Sequence, residues 1–236
     1  MIILGIETSG RTGGVALCDD RRELAAHAFA EAHRRARNIM VAIDDVVRRA
    51  GMERRDIGAV SVSQGPGSFT GLRVGITCAK VLAYALGVPV VGVPSLAVQA
   101  ENVDPAEHGG CRAACPVQDA RRARVYGDLF EWDGRRWTDT TGVLLKGPRE
   151  LADLLPAGAL VFGTGVRAYP DVFTAERFRL GLEELADGRA EVVARLGLAL
   201  LHAGRAVDPA RLVPCYYRLT EPEEKLATSA GRQGKD

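Results

Sequence analysis

The amino-acid sequence predicts an α/β fold in which mixed sheets are flanked by helices. Three short apolar runs open the chain, and turn-forming or polar residues separate them, which is typical of strands joined by hairpins. A stretch with apolar residues at helical spacing follows. The chain then reads strand, helix and strand. This order implies parallel pairing, because a helical crossover brings the next strand back in the same direction.

The N-terminal elements can be placed in order. The opening strands are expected at residues 2–6, 14–18 and 23–30. A helix is expected between Arg34 and Ala50, because apolar residues recur there on one helical face and Gly51 supplies a stop. The following strand, glycine turn, helix and strand are expected at Ile57–Val62, Gly65–Gly67, Ser68–Leu86 and Val88–Val93. By analogy, this is the layout of an actin-like or ribonuclease-H-like lobe.

The second half of the chain predicts a second lobe. Strands are expected at Cys111–Gln118, Val125–Trp132 and Ala159–Gly163, and a helix at Ala190–Ala203. The predicted domain organisation begins with an N-terminal lobe at residues 1–104 and a smaller second lobe at residues 105–189. A C-terminal helix and strand at residues 190–220 are expected to pack back on both lobes, and residues 221–236 are expected to form a disordered tail.

Composition excludes several functions. The chain has 236 residues, 47% of them hydrophobic, and 31 basic side chains against 30 acidic ones. A field this weak cannot hold nucleic acid by charge alone. No secretory leader is expected at the N-terminus. The stretch from Val81 to Ala100 is uncharged, but glycine and proline residues break it into short pieces, at Gly87, Pro89, Gly92 and Pro94. No membrane span is therefore expected there.

The cysteines indicate a reducing compartment. They number five and are widely scattered, which does not suit a disulfide framework. Cys111 and Cys115 are four residues apart but lack a second ligand pair at zinc-site spacing. No two histidines have metal-ligand spacing on a predicted helix, and no catalytic triad can be proposed from residue order. We therefore expect a cytoplasmic protein without a metal, a cofactor or catalytic residues of its own.

A glycine-rich segment, Ser63 to Gly75, leaves a strand and opens the second helix. Such a turn can cradle phosphate on main-chain amides, but this one lacks the Gly-Lys-Ser/Thr of a P-loop, and Thr70 replaces the third glycine of a dinucleotide fingerprint.

Small residues recur every four positions along the second helix, at Gly67, Gly71, Gly75, Ala79, Ala83 and Gly87. This spacing predicts that the sheet or the first helix packs very closely against them.

The turn after the first strand, Glu7-Thr8-Ser9, is a candidate phosphate turn. Actin-like ATPases use an acidic residue with small hydroxyls at this place to handle phosphate and its metal. The same residues can equally form a local turn through side-chain to main-chain hydrogen bonds, and that alternative is favoured.

A partner-binding face is predicted on the two long helices. On the second helix, a stripe opposite the small residues carries an aromatic side chain in a polar setting. It comprises Arg73, Thr77, Lys80 and Tyr84, with Ile76 at its edge. On the first helix the outward residues are Arg37, Val41 and Arg48. Aromatic and arginine side chains concentrate at interface centres. The alternative is an ordinary solvated face with one isolated tyrosine.

The second lobe is locally basic. Its arginines are Arg112, Arg121, Arg122, Arg124, Arg135 and Arg136. A solvated strand edge is the default interpretation. Nucleic-acid contact is the alternative, since aromatic side chains that could stack on bases lie nearby in sequence, at Tyr126, Trp132 and Trp137.

Several segments, taken in order along the chain, resemble the TsaB family. They are Ile3–Ser9, Gln64–Gly75, Asp119–Arg121, Gly163–Gly165 and Pro214–Arg218. The stretch GPGSFTGLR within the second segment is the most specific. The resemblance implies two actin-like (ASKHA) lobes and a cytoplasmic role in forming threonylcarbamoyladenosine on tRNA. It also implies a non-catalytic subunit that assembles with the catalytic homologue TsaD and the ATPase TsaE and meets tRNA indirectly. A homodimer of the isolated chain is left open.

Residues at two places in the sequence bear on which subunit performs the chemistry. Glu7 stands where the family more often has Asp, which weakens the case for nucleotide handling at that turn. The catalytic homologue binds a metal through two histidines, four residues apart, after the strand that matches Val88–Val93. Those positions fall here at Ser95 and Gln99, neither of which is a good transition-metal ligand.

Three other functional classes compete with the scaffold interpretation. One is an actin-like kinase or ATPase that uses Glu7 and the glycine turn. A second is a peptidase-like hydrolase, and a third is a direct tRNA-binding module. The first two need ligands that the sequence does not supply, and the near-zero net charge disfavours the third.

Overall fold

A computed structural model describes residues 1–29 and 35–217, with side chains described from residue 39 onward in the second range. Within this part, the first sheet has five strands in the order β3-β2-β1-β4-β5. Strands β1, β2 and β3 pair antiparallel, whereas β4 and β5 extend the sheet in parallel. Their bounds are Ile3–Glu7, Gly13–Cys18, Glu23–Phe29, Ala59–Gly65 and Val90–Pro94. The predicted mixed sheet is confirmed.

Helices cover both faces of this first sheet. On one face α1 and α2 pack with the strands in a single apolar core, which includes Ile43, Val46 and Ile76. The other face is covered by α6, whose Val193 and Ala194 are fully buried. The helices span Arg35–Arg49, Phe69–Leu86 and Ala190–His202.

Helix α6 approaches the sheet very closely. A Cβ atom at Gly5 of β1 would lie 2.3 Å from the Ala190 main-chain oxygen, and one at Gly197 would lie 2.3 Å from the Ser61 Cβ atom. Only glycine allows this spacing without displacing backbone. The helix predicted at Ala190–Ala203 is therefore part of the core of the first sheet.

The second sheet is built from short strands. In the described part of the chain it has seven, and its main path runs β10-β7-β6-β11-β12, with β8 pairing to both β6 and β9. Strands β6 to β12 span Ala113–Asp119, Val125–Gly127, Phe130–Trp132, Trp137–Asp139, Leu144–Lys146, Leu160–Phe162 and Arg179–Leu180. Short helices α3, α4 and α5 span Ser95–Ala100, Pro148–Leu154 and Thr164–Ala168.

The strand predicted at Val125–Trp132 is wrong as one element, because the chain breaks between β7 and β8. At the break, the Leu129 main-chain N–H donates to Thr141 Oγ1 at 3.0 Å, and Thr141 Oγ1 donates to Asp128 at 3.1 Å. Asp128 is buried, and burial together with the neighbouring Asp139 raises the pKa of its carboxyl to about 8. A buried carboxyl with these partners fixes the kink.

Helix α2 is the one helix in the described chain that is long and apolar enough, by length and composition, to cross a membrane. Seven of its eighteen residues are buried, and they pack against the first sheet and α1. Packing as a core helix accounts for its composition.

Beyond α6 the chain returns to the first sheet. The predicted C-terminal strand is reduced, within the described residues, to an isolated bridge between Val207 and Val90. A short 3-10 helix at Pro209–Arg211 follows. The segment Leu212–Tyr217 then runs past α2 and ends beside Tyr126 of the second lobe. The tail predicted from residue 221 lies outside the described residues.

Candidate functional site

The glycine track of α2 packs on the turn that follows β1. A Cβ atom at Gly71 would lie 2.0 Å from the Thr8 main-chain oxygen, and one at Gly75 would lie 2.1 Å from Thr8 Oγ1. A Cβ atom at Gly67 would meet the Ser9 main-chain oxygen at 2.4 Å. The predicted close neighbour therefore exists for these three glycines, and it is the end of the first strand and the turn that follows it. The prediction is wrong at Gly87, because no atom lies within 4 Å of a Cβ atom placed there.

The Glu7 carboxylate points into the protein. Its side chain is fully buried, and Oε1 accepts hydrogen bonds from the Ser9 main-chain N–H at 2.5 Å and from Ser63 Oγ at 3.1 Å. Gly188 covers it so closely that a Cβ atom there would lie 2.5 Å from the Glu7 Cδ atom. The residues of the candidate phosphate turn thus form a local turn in which a side chain bonds to the main chain, which is the geometry of the alternative favoured by the sequence.

Ser95 and Gln99 lie on α3, and both are buried. Ser95 Oγ accepts a hydrogen bond from the Gly65 main-chain N–H at 3.1 Å, so it supports the glycine turn. In the part of the chain that the structure describes, no three His, Cys, Asp or Glu side chains are grouped to hold a metal. Cys111 and Cys115 are buried free thiols, and burial raises the pKa of Cys115 to about 12.

The outward stripe on α2 is mostly placed as predicted. Tyr84 is 83% exposed, Arg73 and Thr77 are exposed, and Lys80 is half-buried. The inclusion of Ile76 is wrong, because this side chain is only 3% exposed and belongs to the core beneath α1 and α2. Helix α2 touches both the sheet and α1, so its buried arc is wider than the glycine track alone indicates.

On α1 the predicted outward residues are only partly described. Val41 is 67% exposed, and Arg48 is exposed with its guanidinium 2.8 Å from Asp45. Arg37 lies in the first turns of α1, but its side chain is outside the described residues. Val41 is therefore an exposed apolar residue with charged neighbours on its helix.

Between α1 and α2 lies an apolar groove of about 660 Å³ that the sequence analysis missed. The sulfur atoms of Met40 and Cys78 are 3.6 Å apart where the two helices meet. Val81, 63% exposed, lies one helical turn beyond Thr77. The groove is lined mainly by Met40, Val74, Cys78, Val81 and Ala85. The apolar spacing at 74, 78, 81 and 85 was the available signal, and the sequence analysis did not use it.

Two cations of the predicted stripe are held by the C-terminal segment. Arg73 Nε donates to the Tyr216 hydroxyl at 3.0 Å, and its guanidinium lies 4.0 Å above the Phe69 ring, which stacks on Tyr216. Lys80 Nζ donates to the Ala210 main-chain oxygen at 3.1 Å. These contacts hold the C-terminal segment against α2, so it forms part of the same surface as the outward stripe.

The basic residues of the second lobe form two groups. Arg121 and Arg122 lie in the β6–β7 hairpin, where they and Ala123 have positive φ angles of 64, 51 and 52°. Arg112 lies at the opposite end of β6, where its main-chain oxygen accepts from Trp132 beside the β8–β9 hairpin that carries Arg135 and Arg136. The structure does not gather them into one basic patch.

Comparisons with known proteins agree with this architecture. A family model described as TsaD, tRNA N6-adenosine threonylcarbamoyltransferase, matches residues 28–166. The protein called tRNA threonylcarbamoyladenosine biosynthesis protein TsaB from Bacillus subtilis is 30% identical over 97% of this chain and 99% of its own length. The protein of the same name from Escherichia coli is 29% identical, over 96% of this chain and 98% of its own length.

A solved structure with the same fold is YeaZ from Pseudomonas aeruginosa. It superposes with a TM-score of 0.80 at 24% identity and covers 91% of this chain and 99% of its own. That likeness shows the two-lobed fold, while the full-length similarity to the Bacillus protein shows the family. The chain belongs to the TsaB family of tRNA threonylcarbamoyladenosine biosynthesis proteins.

Proposed function

We propose that this chain acts in threonylcarbamoyladenosine biosynthesis as a non-catalytic scaffold that binds and activates a TsaD-like catalytic subunit. The names of its full-length relatives support the pathway. The finer role rests on one structural observation. Helices α1 and α2 present an apolar groove together with exposed Val41, Val81 and Tyr84 on an otherwise charged face.

The charged rim of this face favours a specific interface. Arg54 makes a bidentate pair with Asp44 at 2.8 and 2.9 Å, and Arg48 pairs with Asp45. Rim charges contribute little affinity, but they select a partner and set its orientation. An apolar centre with a charged rim is the usual anatomy of a protein–protein interface.

The family match supports the identity of the proposed partner. The TsaD family model covers residues 28–166, which include both α1 and α2. A catalytic homologue is therefore expected to carry an equivalent helix pair, and two such pairs can pack across a pseudo-two-fold axis. The same geometry permits a homodimer, because an isologous contact uses one surface on both subunits.

The remaining parts of the proposal are a TsaE-like ATPase as a further subunit, indirect contact with tRNA through the complex, and a cytoplasmic location. Within the described residues, the interior placement of Glu7 and the side chains at Ser95 and Gln99 support chemistry residing in the partner.

Co-expression with the TsaD homologue of the same organism tests this function. The two chains are expected to co-purify, and modified tRNA is expected only when both are present with the ATPase. Modified tRNA made by this chain alone, or full modification when this chain is omitted, would contradict the proposal.

A further inference from the structure

A cleft of about 500 Å³ lies between the two lobes, apart from the groove on α1 and α2. Its walls come from the turn after β1, the start of α2, the short helix α3, the β6–β7 hairpin and the segment before α6. Most of the residues that line it carry polar side chains, among them Ser9, Ser68, Gln99, Arg121, Thr164 and Asp187. An inference about this cleft does not rest on the proposed partner surface.

Gln99 lines the cleft with an unsatisfied acceptor. Its side chain is 1% exposed, and within the described chain its Oε1 atom has no hydrogen-bond partner. A buried amide oxygen without a partner destabilises the folded chain, and native proteins seldom leave one. A hydrogen-bond donor supplied by a ligand in the cleft would remove that cost.

A second acceptor, the Asp187 carboxylate, lines the same cleft as Gln99. Asn102 Nδ2 donates to the main-chain oxygens of Leu185 and Asp187 at 2.9 and 2.8 Å. Because Asn102 follows Gln99 by three residues, these bonds bring Asp187 to the end of α3. Among the described residues, the Asp187 carboxylate has neither an ion pair nor a hydrogen bond, and it lines the cleft together with Gln99.

Other walls of the cleft favour an anionic group. Gly67 and Ser68 stand at the N-terminus of α2, an eighteen-residue helix whose first turn carries partial positive charge. Arg121 lines the cleft from the β6–β7 hairpin, where its main-chain N–H donates to Asp119. A positive φ angle of 64° holds the residue in this turn.

The overall charge of the cleft restricts the ligand. Two arginines, Arg11 and Arg121, face three carboxylates, Asp119, Glu183 and Asp187, which leaves one excess negative charge in the lining. Glu183 is engaged by Arg167 at 2.8 Å. A polyphosphate would add several negative charges to this setting. A molecule with one anionic group and one donor-bearing cationic group matches both walls.

We propose that the interlobe cleft binds a small zwitterion, whose ammonium or amide N–H groups donate to Gln99 and Asp187 and whose anionic group lies against the start of α2 and Arg121. Free α-amino acids are the simplest members of this class. Gln99 and Asp187 then determine which molecules enter, because each supplies an acceptor that a ligand without N–H groups leaves unpaired.

The test is titration of the full chain with each of the twenty α-amino acids, followed by two-dimensional amide NMR. At least one amino acid is expected to give saturable shifts near Gln99, Asp187 and Arg121, and its amine-free and carboxylate-free analogues to give none. Gln99→Leu should weaken binding at least tenfold without lowering the melting temperature, since the replaced amide has an unpaired oxygen. Asp187→Asn should weaken binding of a primary ammonium ligand.

Glu184→Gln is the matched control, because Glu184 is exposed on the 3-10 helix Glu183–Ala186, which directly precedes Asp187, and does not line the cleft. Binding by this variant should equal that of the wild type. The proposal is overturned if no amino acid gives saturable shifts, if Gln99→Leu binds as tightly as the wild type, or if the cleft takes Mg-ATP and no amino acid.

Discussion

The two faces of the first sheet carry helices with different outcomes: α6 on one face and α2 on the other are about equally apolar, whereas α1, beside α2, is more charged. On one face α6 lies so close to the strands that only glycine fits at residues 5 and 197, and its Val193 and Ala194 are fully buried. On the other face α1 and α2 bury one side of each helix but leave Val41, Val81 and Tyr84 exposed. Apolar surface that the sheet covers stabilises the fold, while contiguous apolar surface that stays exposed indicates a partner.

Removing α6 should have the largest effect. A chain truncated before Ala190 loses the helix that covers one sheet face, and each fully buried aliphatic side chain contributes about 1.5–3 kcal/mol. We expect this protein to be insoluble. Truncation after Thr220 is the matched control and should leave solubility and melting temperature unchanged. Normal folding of the shorter chain would show that α6 is not structural.

A pair of valine substitutions compares the two faces directly. Val193→Ala on α6 removes fully buried methyl groups and should lower the free energy of unfolding by about 2–3 kcal/mol. Val81→Ala, at a position 63% exposed, should change it by less than about 0.5 kcal/mol. Urea unfolding of both variants measures the difference. Equal losses would mean that the groove face is as much a core as the α6 face.

A smaller, pH-dependent effect is expected in the second lobe. Burial raises the pKa of Asp128 from 3.8 to about 8, so the folded state holds this proton more tightly than the unfolded state. Its contribution to stability is complete below about pH 4 and is lost as the pH rises to about 8. Asp128→Asn keeps a neutral side chain and should flatten this decline. Urea unfolding of the wild type and the variant at pH 5 and pH 8.5 measures how far the free energy of unfolding falls between these pH values. An equal fall in both proteins would contradict the assignment.

The sequence predicted the first sheet well, because its strands are mostly apolar runs and each of its long helices ends one or two residues before a glycine with positive φ. The second sheet was harder, because strands of two or three residues such as β12 carry no periodic signal. The break between β7 and β8 depends on the pairing of Asp128 with Thr141, thirteen residues away. A contact of that range leaves no local pattern.

The candidate sites show the same division. Arg73, Thr77 and Tyr84 could be placed outward from helical spacing, but the groove beside them depends on the distance between two helices. Ile76 was misplaced for that reason, since α1 covers it. The acceptor at Gln99 could not be found from sequence, because its lack of a partner is a property of the folded chain.

The affinity of the chain for its TsaD homologue tests the central claim most directly. Val41→Asp combined with Tyr84→Asp, and separately Val81→Asp, should each weaken binding by roughly thirtyfold or more, since an interface hot spot contributes about 2 kcal/mol. Melting temperatures should stay within about 2 °C of the wild type, because these side chains are exposed. Leu182→Asp, at a residue 74% exposed on the second lobe, is the matched control and should bind normally. Wild-type affinity in both groove-face variants would show that this face of α1 and α2 is not the partner surface.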